Sequence, residues 1–373
     1  MTTPRIEIDL TTIRRNTRFV VDRLRPRGIG VTAVTKAVCG HPAIARAMLA
    51  GGAAGLCDSR VGNIRRLRAA GLTGPISLIR SPSPSQVDLV VRYCDVSYNT
   101  DADVIAALAR AAQRAGRIHR VVLMVEMGDM RDGILPADLE RIASRVVAMP
   151  GVALVGVAAN FACLRGIAPT ANDMATLSVL AADIAARCGV VLGVVSGGNS
   201  ANLGWALGSG PVGRINDLRI GEAILLGVDP ITGAKIAGLS TDAFTLVAEV
   251  IEAGTKPQPA PARPGSSMQI PWQIVPMASP PVRFIVALGR QDTDISGLTP
   301  QDDQICLGAT SDHLVMLTTA GRPPVGSEVR LRMNYNALVR AMGAADVAKT
   351  IVDPSMASGT SPHRGPHLDL VPS

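Results

Sequence analysis

The chain has 373 residues, 47% hydrophobic and 18% charged, a balance that excludes a disordered chain and suits one large domain plus a smaller one. The net charge of +7 is carried almost wholly by dispersed arginines, with no basic run interleaved with aromatics, so nothing supports nucleic-acid binding. The most apolar stretch, residues 177–195, is interrupted by Asp183 and Arg187 and therefore predicts a helix followed by a strand rather than a membrane span.

Ile6-Glu7-Ile8-Asp9-Leu10 alternates like a strand, and Thr11 and Thr12 can cap a helix to about Leu24. Charges at Arg5, Glu7 and Asp9 deprive this end of the apolar core of a signal peptide. From Val31 a strand–helix unit repeats. Strands are predicted over 31–35, 55–59, 76–80, 95–98, 120–127, 153–161, 190–196 and 218–226. Helices are predicted between them, the longest over 101–115 and 171–188, with a short one over 199–207. The strands are near-continuous apolar runs, as strands buried on both faces should be. Eight such units in about 200 residues predict a (β/α)8 TIM barrel of class α/β, with a doubly wound sheet as the rival topology.

The repeat stops near Lys235, which sets a first domain at 1–238, with the strand near 6–10 free to pack on the next domain. Residues 239–353 hold short alternating runs at 282–288, 304–308, 313–318 and 328–333, which predict a smaller C-terminal β-rich domain. A proline-rich insert occupies 254–281 and a polar tail 354–373. Six scattered cysteines without a CxxC pair predict free thiols in a reducing, cytoplasmic setting.

Barrel active sites lie at the C-terminal ends of the strands. The polar residues predicted there are Lys36, Asp58, Arg80, Asn99, Glu126 with Arg131, Asn160, Ser196 and Arg219. Lys36 ends an apolar strand, where burial lowers a lysine's pKa and suits it to Schiff-base chemistry; the plain alternative is a side chain that extends to solvent. Ser196-Gly197-Gly198-Asn199-Ser200 is a small-residue turn ahead of a helix, suited to an anion or to ordinary capping. Arg219, in Leu218-Arg219-Ile220-Gly221-Glu222, needs an acceptor inside an apolar strand: Glu222 or Asp217 as an ion pair, or a ring nitrogen or anion, with Asn160 orienting it. Glu126-Met127-Gly128-Asp129-Met130-Arg131-Asp132-Gly133 predicts a loop folded over the site, with Arg131 able to meet a carboxylate. His313 has no second ligand at metal spacing, so no metal is assigned.

Together with Thr35-Lys36-Ala37, Gly40-His41, Ala159-Asn160-Phe161-Ala162-Cys163 and Met333-Asn334-Tyr335-Asn336-Ala337-Leu338, these strings resemble the alanine racemase-like, fold-type III pyridoxal-phosphate enzymes, in particular the ornithine racemase-like branch. The resemblance runs from Ile6 to about Val352. It implies pyridoxal 5'-phosphate as cofactor, a homodimer with active sites shared between subunits, and interconversion of L- and D-amino acids by two-base exchange of the Cα proton. It implies that Lys36 carries the cofactor and is one base. Ser196, Gly198, Asn199, Ser200, Gly221, Glu222 and Tyr335 would line the cofactor. Arg219 would face its ring nitrogen, and Arg131 its phenolic oxygen and the substrate carboxylate. Asn160 stands where alanine racemases carry a histidine.

One departure bears on the substrate. The tyrosine that serves alanine racemases as the second base is missing from Gly289-Arg290-Gln291-Asp292, which leaves Asp292, Cys306, Asp312 and His313 as candidates and points away from alanine. A fold-type III lyase or decarboxylase, with Glu222 at the ring nitrogen, and a non-catalytic cofactor carrier are the rival readings.

Overall fold

A computed structural model describes residues 2–254, 282–300 and 303–352; the proline-rich insert (but for Gly254) and the C-terminal tail lie outside the described residues. Strand β1 (Arg5–Ile8) leads into α1 (Leu10–Leu24), whose first turn is capped by the Asp9 side chain accepting from Thr12 N. The barrel strands follow as β2 (Gly30–Val34), β3 (Gly55–Asp58), β4 (Ile76–Leu78), β5 (Val96–Asn99), β6 (His119–Val125), β7 (Val152–Ala159), β8 (Val194–Ser196) and β9 (Asp217–Ile220). The helices after them are α2 (Pro42–Ala50), α3 (Val61–Ala69), α4 (Val87–Tyr93), α5 (Ala102–Arg114), α6 (Pro136–Val147), α7 (Ala171–Cys188), α8 (Leu203–Ala206) and α9 (Glu222–Leu226).

All eight strands pair in parallel, and β9 closes on β2, so the expected (β/α)8 barrel is present. Its apolar strands are sandwiched between the barrel interior and the helices, with Ala33, Cys57, Leu123, Val157 and Ile220 each 1% exposed or less. The eighth strand was expected to run to Leu226 but stops at Ile220. Gly221 turns the chain into α9, whose residues Ala223, Ile224, Leu225 and Leu226 are all buried. The seventh is shorter than expected for a similar reason: Val190 and Val191 sit in the turn after α7, which ends on Gly189 in the left-handed region (φ 64°).

The second domain is an eight-stranded sheet of β10 (Phe244–Gly254), β11 (Val282–Val286), β12 (Leu298–Pro300), β13 (Gln304–Ala309), β14 (Leu314–Thr318), β15 (Glu328–Met333) and β16 (Ala348–Ile351), with β1 as its eighth member and α10 (Tyr335–Gly343) packed beside it. β1 pairs antiparallel with β10 and parallel with β16. Arg5, 4% exposed, fixes this seam: its guanidinium donates to Glu7 at 2.6 Å and to Glu328 at 2.6 Å. The sequence reading missed β10, β12, β16 and α10. Among the described residues, no helix is long and apolar enough to cross a membrane.

Candidate active site

Lys36 lies just past β2, on a single 3-10 turn (Lys36–Val38) rather than in the strand. The turn is fixed from beneath. Asp58, 0% exposed at the end of β3, accepts from Thr35 Oγ1 at 2.7 Å, Arg60 N at 2.9 Å and Asn63 Nδ2 at 3.0 Å. Burial raises the Asp58 pKa, and these hydrogen bonds oppose the rise. Cys39 and Gly40 then take left-handed backbone (φ 52° and 62°), and a Cβ on Gly40 would meet Asn63 at 2.9 Å.

Of the two readings left open for Lys36, the exposed one holds within one chain: the strand ends before it, and α10 packs beside its turn. Its Nζ stands 5.8 Å from the centroid of the Tyr335 ring. Burial raises the Tyr335 hydroxyl above its ordinary value, and the Lys36 charge works against that rise.

Arg219, on β9, is 3% exposed in the barrel mouth. Its Nη2 donates to Ala159 O at 2.7 Å and to Asn160 Oδ1 at 2.8 Å, and its Nη1 donates to Ser196 Oγ. Ser196 in turn donates to Asp217, which also accepts from Thr32 Oγ1 at 2.6 Å. Thus neither expected ion-pair partner meets Arg219 directly: Asp217 reaches it through the serine, and Glu222 has turned onto α9. The guanidinium carbon lies 5.1 Å from the Tyr98 ring centroid, a contact the sequence reading missed. An aromatic residue inside an apolar strand carried no signal that it faced an arginine.

The turn after β8 forms a cradle. Gly198 has φ 129°, and a Cβ there would meet Asn202 Oδ1 at 2.1 Å. Asn202 Oδ1 accepts from Asn199 N at 2.9 Å, and Asn199 Oδ1 accepts from Ala201 N at 2.9 Å. The Ser200 hydroxyl, 3% exposed, receives Gly221 N and Ala223 N, each at 3.3 Å. Ser200, Gly221 and Ala223 thus converge beside Lys36 and Tyr335 with donors that suit a phosphate.

Arg131 sits on the loop after β6, where its Nε donates to Asp132 Oδ1 at 2.6 Å. Glu126 braces that loop by accepting from Gly128 N and Met130 N at 2.7 and 3.0 Å. Asp129, 5% exposed, ties it to the β7 loop by accepting from Leu164 N at 2.9 Å.

The second-base candidates lie elsewhere in the chain. Asp292 is buried, and its Oδ2 accepts from Gly289 N at 2.8 Å, so its carboxylate holds its own turn. That turn runs along the 310–313 hairpin, with Arg290 N on Thr310 O and Gln291 N on Ser311 O, each at 3.0 Å. His313 on the hairpin is half-buried, and its Nδ1 lies 2.9 Å from Asp312 Oδ1, with no partner for Nε2 among the described residues. Neither Asp292 nor His313 contacts Lys36 within the chain. Among the described residues, no group of three or more His, Cys, Asp or Glu could hold a metal ion.

The family model of the alanine racemase N-terminal domain matches residues 8–229. The lysine racemase of Thermotoga maritima is 34% identical over 361 residues, which is 95% of this chain and all of that protein. The ornithine racemase of Acetoanaerobium sticklandii is 30% identical over 354 residues, 94% of this chain and 99% of that protein. The crystal structure of alanine racemase from D-cycloserine-producing Streptomyces lavendulae superposes with a TM-score of 0.75 at 23% identity, covering 95% of this chain and 98% of that one.

Proposed function

Because this chain belongs to the alanine racemase family and is an amino-acid racemase, we propose that it inverts basic amino acids such as lysine and ornithine, using pyridoxal 5'-phosphate. One observation carries the reading: an exposed lysine amine, an aromatic wall and a glycine–serine anion cradle meet at the mouth of one barrel around an arginine held by three hydrogen bonds.

The residues fit the cofactor. The Gly198 turn admits no side chain, so its backbone can lie against a phosphate, and the Ser200 hydroxyl already gathers two amides of the α9 turn. Ser200, Asn199, Gly221 and Tyr335 would hold the phosphate, Arg219 would face the ring nitrogen, and Lys36 would carry the carbonyl carbon. When bound, the cofactor supplies the electron sink that acidifies the substrate Cα–H.

The protein's own groups do the rest. Bonds to Ser196, Ala159 and Asn160 hold the Arg219 guanidinium in place. Such a fixed cation disfavours a second proton at the atom it faces. Arg131 receives the substrate carboxylate on a loop braced by Glu126 and Asp129. Lys36 removes or returns the proton on one face of Cα. His313 of a second copy does so on the other, its Nδ1 held by Asp312 so that Nε2 exchanges the proton. Asp292 positions the turn beside that hairpin. Two copies in a homodimer complete each site. Six free cysteines suit the cytoplasm.

The test is a chiral assay of the cofactor-loaded protein with lysine, ornithine and alanine, run in D2O. Inversion with deuterium at Cα supports the reading; carbon dioxide or keto-acid release without inversion overturns it. His313→Asn should cut inversion by roughly 10²- to 10⁴-fold while Lys36 still exchanges the proton of one enantiomer. Equal loss of exchange from both enantiomers would remove His313 from its role.

A further inference from the structure

Glu222 opens α9 directly after Gly221 and beside the Ser200 cradle. Its side chain is half-buried and accepts no hydrogen bond among the described residues. The cation acting on it is Lys36, from the turn after β2; the groups of like sign are Asp229, from the turn after α9, and the Tyr335 hydroxyl if ionised. Burial pushes the Glu222 carboxyl up to about 7, even with Lys36 opposing the rise.

That arrangement leaves a charge to be balanced. Lys36 acts as a base only as a neutral amine, and then Glu222 has lost its cation. A phosphate in the adjacent cradle adds negative charge to the same wall. Beside a neutral substrate side chain this half-buried group is either protonated or an unpaired carboxylate, whereas an ammonium would stabilise the carboxylate as an ion pair. The acid on the loop after β6, Asp129, differs in its neighbours: one oxygen accepts from Leu164 N, the other is buried without a hydrogen-bond partner among the described residues, and Arg131 on the same loop is a cation near it.

We propose that Glu222 is a specificity-determining residue, the carboxylate that receives the second ammonium of a diamino-acid substrate. This rests on the reading of the chain as a racemase of basic amino acids, and it assigns to Glu222 a contact with the substrate side chain rather than with the cofactor ring.

The experiment measures kcat and KM of the cofactor-loaded wild type, Glu222→Gln and Glu222→Asp with L-lysine, L-ornithine and L-norleucine, the last keeping lysine's carbon stem without its ammonium. Cofactor content and thermal midpoint are recorded for each protein. Wild type should favour lysine over norleucine, and Glu222→Gln should shrink that ratio of kcat/KM by about 10- to 100-fold, chiefly through the KM for lysine. Glu222→Asp, which keeps the charge on a shorter stem, should retain part of the preference and remains informative if Glu222→Gln does not fold. A ratio unchanged in both variants, or equal losses on lysine and norleucine with falling cofactor content, overturns the proposal and leaves the racemase reading standing. A wild type that inverts no basic amino acid overturns both.

Discussion

Lys36 Nζ lies 5.8 Å from the centroid of the Tyr335 ring, so the first barrel strand and the helix of the C-terminal domain meet at a single amine. Each residue is placed by its own domain: Lys36 by the Asp58–Thr35 hydrogen bond, and Tyr335 by the Asn334 side chain, which caps α10 by accepting from Ala337 N at 3.0 Å. The site therefore depends on how the two domains dock, and its groups separate into those that do chemistry and those that hold the frame.

Replacing Lys36 removes chemistry and little else. Its side chain is exposed, and the groups its charge acts on, Glu222 and Tyr335, are only partly buried, so Lys36→Ala should leave stability within about 0.5 kcal/mol of wild type. Racemisation should fall by about 10³-fold or more. Thermal melting beside a chiral chromatographic assay checks both; near-normal activity would remove Lys36 from the mechanism.

Gly198→Ala should damage the cradle without touching Lys36. The added Cβ would overlap Asn202 Oδ1 and force φ 129° on an L-residue, at a cost of about 1–3 kcal/mol. Asn202 can then no longer brace Asn199 N. Weaker retention of pyridoxal 5'-phosphate, by about tenfold or more, is expected in equilibrium dialysis, with a lower melting midpoint.

Arg219→Met keeps an unbranched apolar stem and removes the donors. Ala159 O and Asn160 Oδ1 would lose a partner, and Ser196 would lose one of two, at about 1–3 kcal/mol for each buried acceptor left unmade. Denaturant unfolding should show a loss of that order. Asn160→Leu, which removes only one acceptor, should cost less, and a larger effect from Asn160→Leu would contradict this bonding pattern.

Acid should weaken the fold through His119, at the start of β6. The residue is 2% exposed, its Nε2 lies 2.8 Å from Ser97 Oγ, and burial, with Arg120 and Arg117 nearby, lowers its pKa to about 4. The unfolded chain protonates near the ordinary 6.5, whereas the folded chain does not until near 4. The stability this group supports is thus fully present above about 6.5 and is lost as pH falls towards 4. His119→Gln should flatten the pH dependence of unfolding across that window; an unchanged slope would assign the acid loss to other groups.

The barrel was legible in the sequence because each strand had to be apolar along its whole length, and the turns that follow carried the polar residues. Ser196, Arg219 and Asn160 could be shortlisted because polar groups at the ends of buried strands require partners. The boundary at Gly221 was not legible: Ala223-Ile224-Leu225-Leu226 suits a buried strand or a buried helix equally, and only packing against α1 and the barrel chose the helix. The exposure of Lys36 was equally hidden, since the apolar run before it does not say where the strand stops.

By itself, the sequence determined the α/β barrel, the β-rich domain after it, the lysine and the glycine–serine turn, because periodicity and local turn chemistry are properties of neighbouring residues. The tertiary structure decided the partners. It linked Arg219 to Asp217 through Ser196, brought Tyr335 from the far end of the chain over Lys36, committed Asp292 to its own turn, and left Glu222 half-buried with Lys36 as the cation facing it. Those relationships join residues far apart in the chain, and which charges meet depends on how closed sheets and docked domains place their ends in space.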